Sequence, residues 1–234
     1  MLGIEGKRLN VKKIWKNDYV KLIIIIAVIV GVVAGFMLGL QVVLNTASPL
    51  LVVESGSMCI PYNIYCDGWS HPFSRTLHEG DVIIIQGVDA KDLNTNYPYS
   101  DIIVYQNPTN PSGTPIVHRI VKSEEINGTL YFQTKGDGND TPWPEVPSSE
   151  EYDSNRFWNT GKGVPQDLVV GRVVMRVPWV GWITLVMRRN LWLSPVVAGL
   201  IILLVVLEFI VPLIKDRKRK EEKDGEETLI LTSQ

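Results

Sequence analysis

The chain has 234 residues, with 23 lysines and arginines against 25 acidic residues and a formal net charge of −2. That length holds one moderate domain plus further segments, and the near balance of charge excludes the basic excess of a nucleic-acid-binding protein. Where the charges sit matters more than their sum.

Residues 1–21 form a basic stub, with Lys7, Arg8, Lys12, Lys13, Lys16 and Lys21 against Glu5 and Asp18. Leu22 to Leu44 then runs for 23 residues without a formal charge. At about 1.5 Å per residue, a helix of that length crosses the ~30 Å hydrocarbon core of a bilayer. The alternative, a cleaved signal peptide, has an apolar region of only about 7 to 15 residues, so residues 22–44 are read as a transmembrane anchor. Gly31, Gly35 and Gly39 recur along it every four residues, a stripe that admits a second helix closely.

Residues 45–190 change character, with short β-branched runs separated by turn residues. The strands expected are Leu50–Val53, Asp81–Gln86, Asp101–Tyr105, Ile116–Ser123, Thr129–Thr134 and Leu168–Val177. Asn127-Gly128 between two of them is a hairpin signal. The polar, proline-rich stretches 107–115 and 141–163 read as loops, the second long enough to suggest a functional flap. A second apolar stretch, Leu193 to Ile214, is interrupted only by Glu208 and sits in the expected second transmembrane segment, 191–214. The tail, 215–234, opens with Lys215, Asp216, Arg217, Lys218, Arg219 and Lys220. Basic flanks mark the cytoplasmic side, so both termini are expected there and residues 45–190 on the extracytoplasmic face, although Arg188 and Arg189 soften the asymmetry. Trp192, with Trp179 and Trp182, fits an interfacial aromatic belt. The expected architecture is a mainly β domain between two transmembrane α-helices.

Three short stretches of that domain carry chemistry-bearing residues. Glu54-Ser55-Gly56-Ser57-Met58 follows the first strand close to the membrane; alone it reads as a plain turn or as an exposed hydroxyl. His118, in Pro115-Ile116-Val117-His118-Arg119-Ile120, is the histidine within a strand-like apolar run. Imidazole titrates near neutrality, so it can take a proton from a serine hydroxyl and return it to a leaving amine. Lys135-Gly136-Asp137-Gly138-Asn139-Asp140 offers carboxylates that can orient an imidazole, or simply a turn.

The order of these pieces (S-G-S-M, then Gly80 to Ile85, then V-H-R, then T-K-G-D-x-N) resembles the type I signal peptidases of the archaeal and endoplasmic-reticulum kind. Val-Val-Gly-Arg and Val-Pro-Trp-Val-Gly, within Val169 to Leu185, are similar to that family's closing strands. The resemblance implies a membrane-bound serine endopeptidase that removes signal peptides from exported precursors after small residues, the A-x-A pattern, by acyl-enzyme chemistry. It maps the nucleophile to Ser57 and the base to His118. The acid is Asp140 or Asp137, with Asp140 favoured because the family's catalytic acid follows its Gly-Asp. The backbone N–H of Ser57 and the hydroxyl of Ser55 are the oxyanion candidates. No metal or organic cofactor is implied, and the partners are precursor proteins, membrane lipid and the translocation machinery. Two departures from the family pattern stand out: residues 62–79 are interposed before Gly80-Asp81, and Asp140 follows Asp137 very closely.

Cys59 and Cys66 are expected to be bridged, since an even cysteine count in an extracytoplasmic segment favours a disulfide. With His71 and His78 they match no zinc-site spacing. A rival of another class is a membrane-anchored β domain that binds a partner without catalysis. With histidine as base, activity is expected to fall as the pH drops and the imidazole is protonated.

Overall fold

The computed structural model describes residues 18–60, 76–208 and 211. The basic stub before Asp18, Cys66 and His71 with most of the 62–79 insertion, and the charged tail lie outside the described residues. Two compact units divide at Gly181/Trp182.

In the first unit, α1 spans Asp18–Val43. Its segment Ile23–Val43 has a mean hydropathy of 3.0 and is not buried by protein, and it is long and apolar enough to cross a membrane. The helix stops where Asn45 adopts a left-handed φ of 50°. Thr46 N–H then donates to Gln41 O (3.2 Å) and Asn45 N–H to Val42 O (3.4 Å), the paired bonds of a Schellman ending. Gly87 N–H donates to Leu44 O (2.8 Å), which fastens the end of α1 to the sheet. A Cβ on Gly87 would lie 2.0 Å from Asn45 O, so this close approach requires glycine.

Seven strands form one antiparallel, half-barrel-like sheet in the order β1-β2-β7-β3-β4-β5-β6. They are β1 Leu50–Val52, β2 Val82–Gln86, β3 Ile102–Tyr105, β4 Ile116–Ile126, β5 Thr129–Lys135, β6 Val164–Pro165 and β7 Val169–Val177. All six expected strands are present, and the mainly β character holds. The short β6 was not expected, since two residues ending a polar stretch give no periodicity to read. The β4–β5 hairpin turns at Asn127 (φ 51°) and Gly128 (φ 80°), both in the left-handed region that a two-residue turn of this hand requires.

Burial follows the two-residue period of strands. In β2, Ile83 and Ile85 are fully buried and their neighbours half-buried. Strand β3 is apolar throughout because it is covered on both faces. Ile103 and Tyr105 enter a core with Ile120, Phe132 and Val164, whereas Val104 enters a second core with Val53, Met58, Ile83 and Ile85.

The 141–163 stretch is not a featureless loop. It carries a 3₁₀ turn, Ser149–Glu151, and the four-residue helix α2, Asp153–Arg156. Glu151 ties its start down, accepting from Thr141 N–H (2.9 Å) and Ser148 N–H (3.0 Å). Burial pushes the Glu151 carboxyl upward, but these bonds and those from the Thr141 and Ser148 hydroxyls outweigh it and hold the group down at about 2.

The second unit holds α3, Trp182–Arg189, and α4, Leu193–Glu208, bent by 111° to each other. The closing strand thus ends at Val177, short of Leu185, and Trp182 onward is helical. Helix α4 begins where the second apolar stretch was expected to, and among the described residues it meets the length for a membrane span only as a bent pair with α3.

Candidate active site

Sheet pairing continues past β1, with Val53 N–H donating to Asp81 O and Gly80 N–H to Val53 O, both at 2.9 Å. The chain then turns, and Cys59 N–H closes onto Gly56 O (2.9 Å). Ser57 sits in this turn, directly before buried Met58. From the other side comes the segment after β5: Gly138 N–H donates to Ser57 O (2.9 Å) and Asp137 N–H points at Met58 Sδ (3.4 Å). A Cβ on Gly138 would lie 2.0 Å from Cys59 O, and one on Gly136 would lie 2.5 Å from Ser57 O. The two glycines of Lys-Gly-Asp-Gly are therefore what lets this segment lie against the serine turn.

His118 projects from β4 opposite Ile103 of β3 and is 3% exposed. Its Nε2 lies 2.9 Å from Ser57 Oγ and its Nδ1 lies 2.7 Å from Asp153 Oδ2. A carboxylate oxygen only accepts, so Nδ1 carries the proton and Nε2 is left to accept from the serine hydroxyl. Asp153 opens α2, is fully buried, and also accepts from Tyr105 Oη (2.8 Å) and Thr134 Oγ1 (2.7 Å). The Phe157 ring lies 6.4 Å from the imidazole.

The structure thus brings together two of the expected residues, Ser57 and His118, but puts neither expected aspartate on the imidazole. Asp140 is an exposed residue at a left-handed φ of 41°, ion-paired with Arg156. Its position directly after the turn leaves it at the rim. Asp137 turns to Arg119 instead: Nε and Nη2 donate to its two oxygens at 2.8 and 2.7 Å, while Nη1 donates to Ser100 O at 2.7 Å. Arg119 also stacks on Trp143, 5.2 Å from its centroid. Burial pushes the Asp137 carboxyl up, and the Arg119 guanidinium opposes it.

Both members of that pair are over nine-tenths buried. Asp137→Ala strands the guanidinium, so unfolding should become easier by about 3 to 5 kcal/mol in denaturant titration. The molecules that still fold should keep their cleavage rate.

Lys135 is buried, and its ammonium donates to Gly136 O (3.1 Å), Thr141 O (2.6 Å) and Asn139 O. Burial lowers its proton affinity, against the pull of Glu151. Its three donors are engaged in closing the loop that follows β5. Cys59 is buried and disulfide-bonded, while Cys66, its expected partner, lies outside the described residues.

A cleft of about 630 Å³ opens over Ser57 and His118. One wall is β1 and its continuation through Val53, Glu54 and Ser55; the other is Thr114 to Val117. Among the described residues, β1 is the last strand of the sheet on its side, and β4 pairs with β5 only from Arg119 onward. Ser55 Oγ lies 3.4 Å from Ser57 Oγ, inside the cleft.

Sequence reasoning missed Asp153, Tyr105 and Thr134. Asp153 stands among Glu145, Glu150 and Glu151 with nothing in its neighbours to single it out. Only the length of the 141–163 excursion hinted that it has a task.

No family model matches the chain, and no solved structure does. Among curated proteins, the signal peptidase complex catalytic subunit SEC11 of Leptosphaeria maculans is 31% identical over 173 residues, covering 73% of this chain and 81% of that protein. The same-named subunit of Pyrenophora tritici-repentis is 30% identical over 173 residues, and that of Chaetomium globosum 29% over 170, with the same coverage. With a serine, an imidazole and a carboxylate in line and relatives of this extent, the chain belongs to the family of signal peptidase complex catalytic subunits, serine endopeptidases of the type I signal peptidase kind.

Proposed function

We propose that this chain removes signal peptides from exported precursors, with Ser57 as nucleophile, His118 as base and Asp153 as the acid that orients it. The observation that carries the reading is the unbroken alignment of 2.9 and 2.7 Å from Ser57 Oγ through His118 to Asp153. Ser57 Oγ attacks the scissile carbonyl and passes its proton to His118 Nε2. The carbon–nitrogen bond breaks as His118 returns that proton to the leaving amine, and water, deprotonated by the same imidazole, then cleaves the acyl-enzyme. Ser55 Oγ and the Ser57 N–H are the oxyanion donors of this reading. A binding module would have no use for a buried imidazole lined up on a hydroxyl.

The cleft supports an extended substrate. Among the described residues no strand pairs with the outer side of β1 or with the β5-facing side of Ile116–His118, which suits a peptide strand laid along the cleft with its carbonyl delivered to Ser57. The preference for small residues before the cut, the A-x-A pattern, rests on the family. The test is a purified full-length protein in lipid with a model precursor. A single cut at the end of the signal peptide, lost in Ser57→Ala, supports the reading; processing by Ser57→Ala overturns it.

Helix α1 as one span and the apolar stretch Leu193 to Ile214 as a second would leave both termini cytoplasmic, beside Lys7–Lys21 and Lys215–Lys220, with the β domain on the extracytoplasmic face. Protease added to sealed cells should then cut the β domain and spare a C-terminal tag. Removal of the tag from sealed cells would mean that α4 does not span. The lipid bilayer, the precursor and the translocation machinery are the partners of this arrangement.

A further inference from the structure

Asp153 reaches the site on the excursion between β5 and β6, so no strand pairing fixes it. The sheet register supplies what does. Ile103 lies opposite His118 and Ile120 opposite Thr134. Tyr105, two residues past Ile103, therefore projects from the same face as His118, and so does Thr134. Three adjacent strands, β3, β4 and β5, thus aim one donor each at a single point. Tyr105 Oη, His118 Nδ1 and Thr134 Oγ1 lie 2.8, 2.7 and 2.7 Å from Asp153 Oδ2, and the two hydroxyls are 3.1 Å apart. All four residues are at most 3% exposed. A phenylalanine at position 105 would fill the same core without burying a hydroxyl, which is costly unless the hydroxyl is bonded.

We propose that Tyr105 and Thr134 are positioning residues of the endopeptidase: by donating to Asp153 Oδ2 they fix the carboxylate against His118 and share its charge, and so set how firmly the acid holds the protonated imidazole. The proposal rests on the reading of Ser57, His118 and Asp153 as the catalytic groups. Burial, and then the Asp153 charge, raise the Tyr105 phenol well above its ordinary value, so it stays a donor through any working pH. Among the described residues, Lys135 lies within electrostatic reach of Asp153 and Asp137 within reach of His118, and hydroxyl deletions leave both in place. A carboxylate that loses one donor concentrates more charge on the remaining one. The imidazolium is then held more tightly and released less readily.

The experiment measures kcat and KM against pH for the full chain in lipid with a model precursor, using Tyr105→Phe, Thr134→Val, Thr134→Ser and, as control, Asp153→Asn. Tyr105→Phe and Thr134→Val should each lower kcat by roughly tenfold with KM unchanged, the loss expected for a bond to a charged group. Both should move the acid limb of the kcat/KM profile to higher pH by up to about one unit. Thr134→Ser, which keeps the hydroxyl, should match the unaltered enzyme. A Tyr105→Phe enzyme with unaltered kcat and acid limb, beside an inactive Asp153→Asn, overturns the proposal and leaves the catalytic reading standing. A loss of rate with no movement of the acid limb also overturns it, by reducing the hydroxyls to packing. Full activity of Asp153→Asn would instead overturn the catalytic reading, and this proposal with it. Should Tyr105→Phe fail to fold, the Thr134 pair decides by the same criteria.

Discussion

Asp153→Asn is expected to lower kcat by about three to four orders of magnitude while the protein stays folded, as when a serine protease's imidazole loses its orienting carboxylate. An amide at this position can present its N–H₂ to His118 Nδ1 and so favour the wrong tautomer, with the proton on Nε2 facing Ser57. Because the side chain is fully buried and meets Tyr105 and Thr134 as well, the isosteric Asn tests charge and tautomer rather than volume. Asp140→Asn is the matched comparison. Asp140 is half-exposed and pairs with Arg156 at the rim, where an ion pair contributes about 0 to 1 kcal/mol, so its rate should remain within a few-fold of the unaltered enzyme. Cleavage of a model precursor by the two variants side by side measures the difference. An Asp140→Asn enzyme disabled more than Asp153→Asn would return the acid to the position first expected from the sequence.

His118→Ala is expected to abolish turnover at every pH, with losses comparable to those of Ser57→Ala, because residues that act as one unit fail together. An alternative base to weigh is Lys135, between Thr134 and Gly136. Its ammonium is buried and donates to the carbonyls of Gly136, Asn139 and Thr141. Burial lowers the proton affinity of this group, but those bonds tie it into its own loop. Raising the pH should therefore not restore cleavage in His118→Ala. Recovery at high pH, lost again in the double variant with Lys135→Met, would identify the lysine as a base.

The strands, and the serine and imidazole of the proposed relay, were legible because they obey local rules. Ile83 and Ile85 bury at the spacing of a half-covered strand, Asn127-Gly128 makes its turn, and Ser57 and His118 sit in short ordered motifs. The acid was not legible, since Asp153 is selected by tertiary contact alone. Strand register puts Tyr105, His118 and Thr134 on one face, and a helix of four residues inside a polar excursion lowers a carboxylate onto them. Asp137, which the Gly-Asp motif recommends, is claimed instead by Arg119, the residue next to the base and therefore on the opposite face of β4. The turn from β7 into α3 was likewise hidden, because Trp182 to Arg189 is only eight residues long, too short a period to announce a helix beside the strand that precedes it.

The most direct test of the Ser57–His118–Asp153 relay is the covalent step itself. The full-length protein in lipid is exposed to a signal-peptide mimic carrying an activated carbonyl in place of the scissile bond, and the adduct is located by peptide mass mapping. One modified residue is expected, Ser57, formed at a rate that falls sharply in Asp153→Asn and His118→Ala and stays near the unaltered value in Asp140→Asn. An adduct on another residue, or labelling of Ser57 at an unaltered rate without His118 or Asp153, would contradict it.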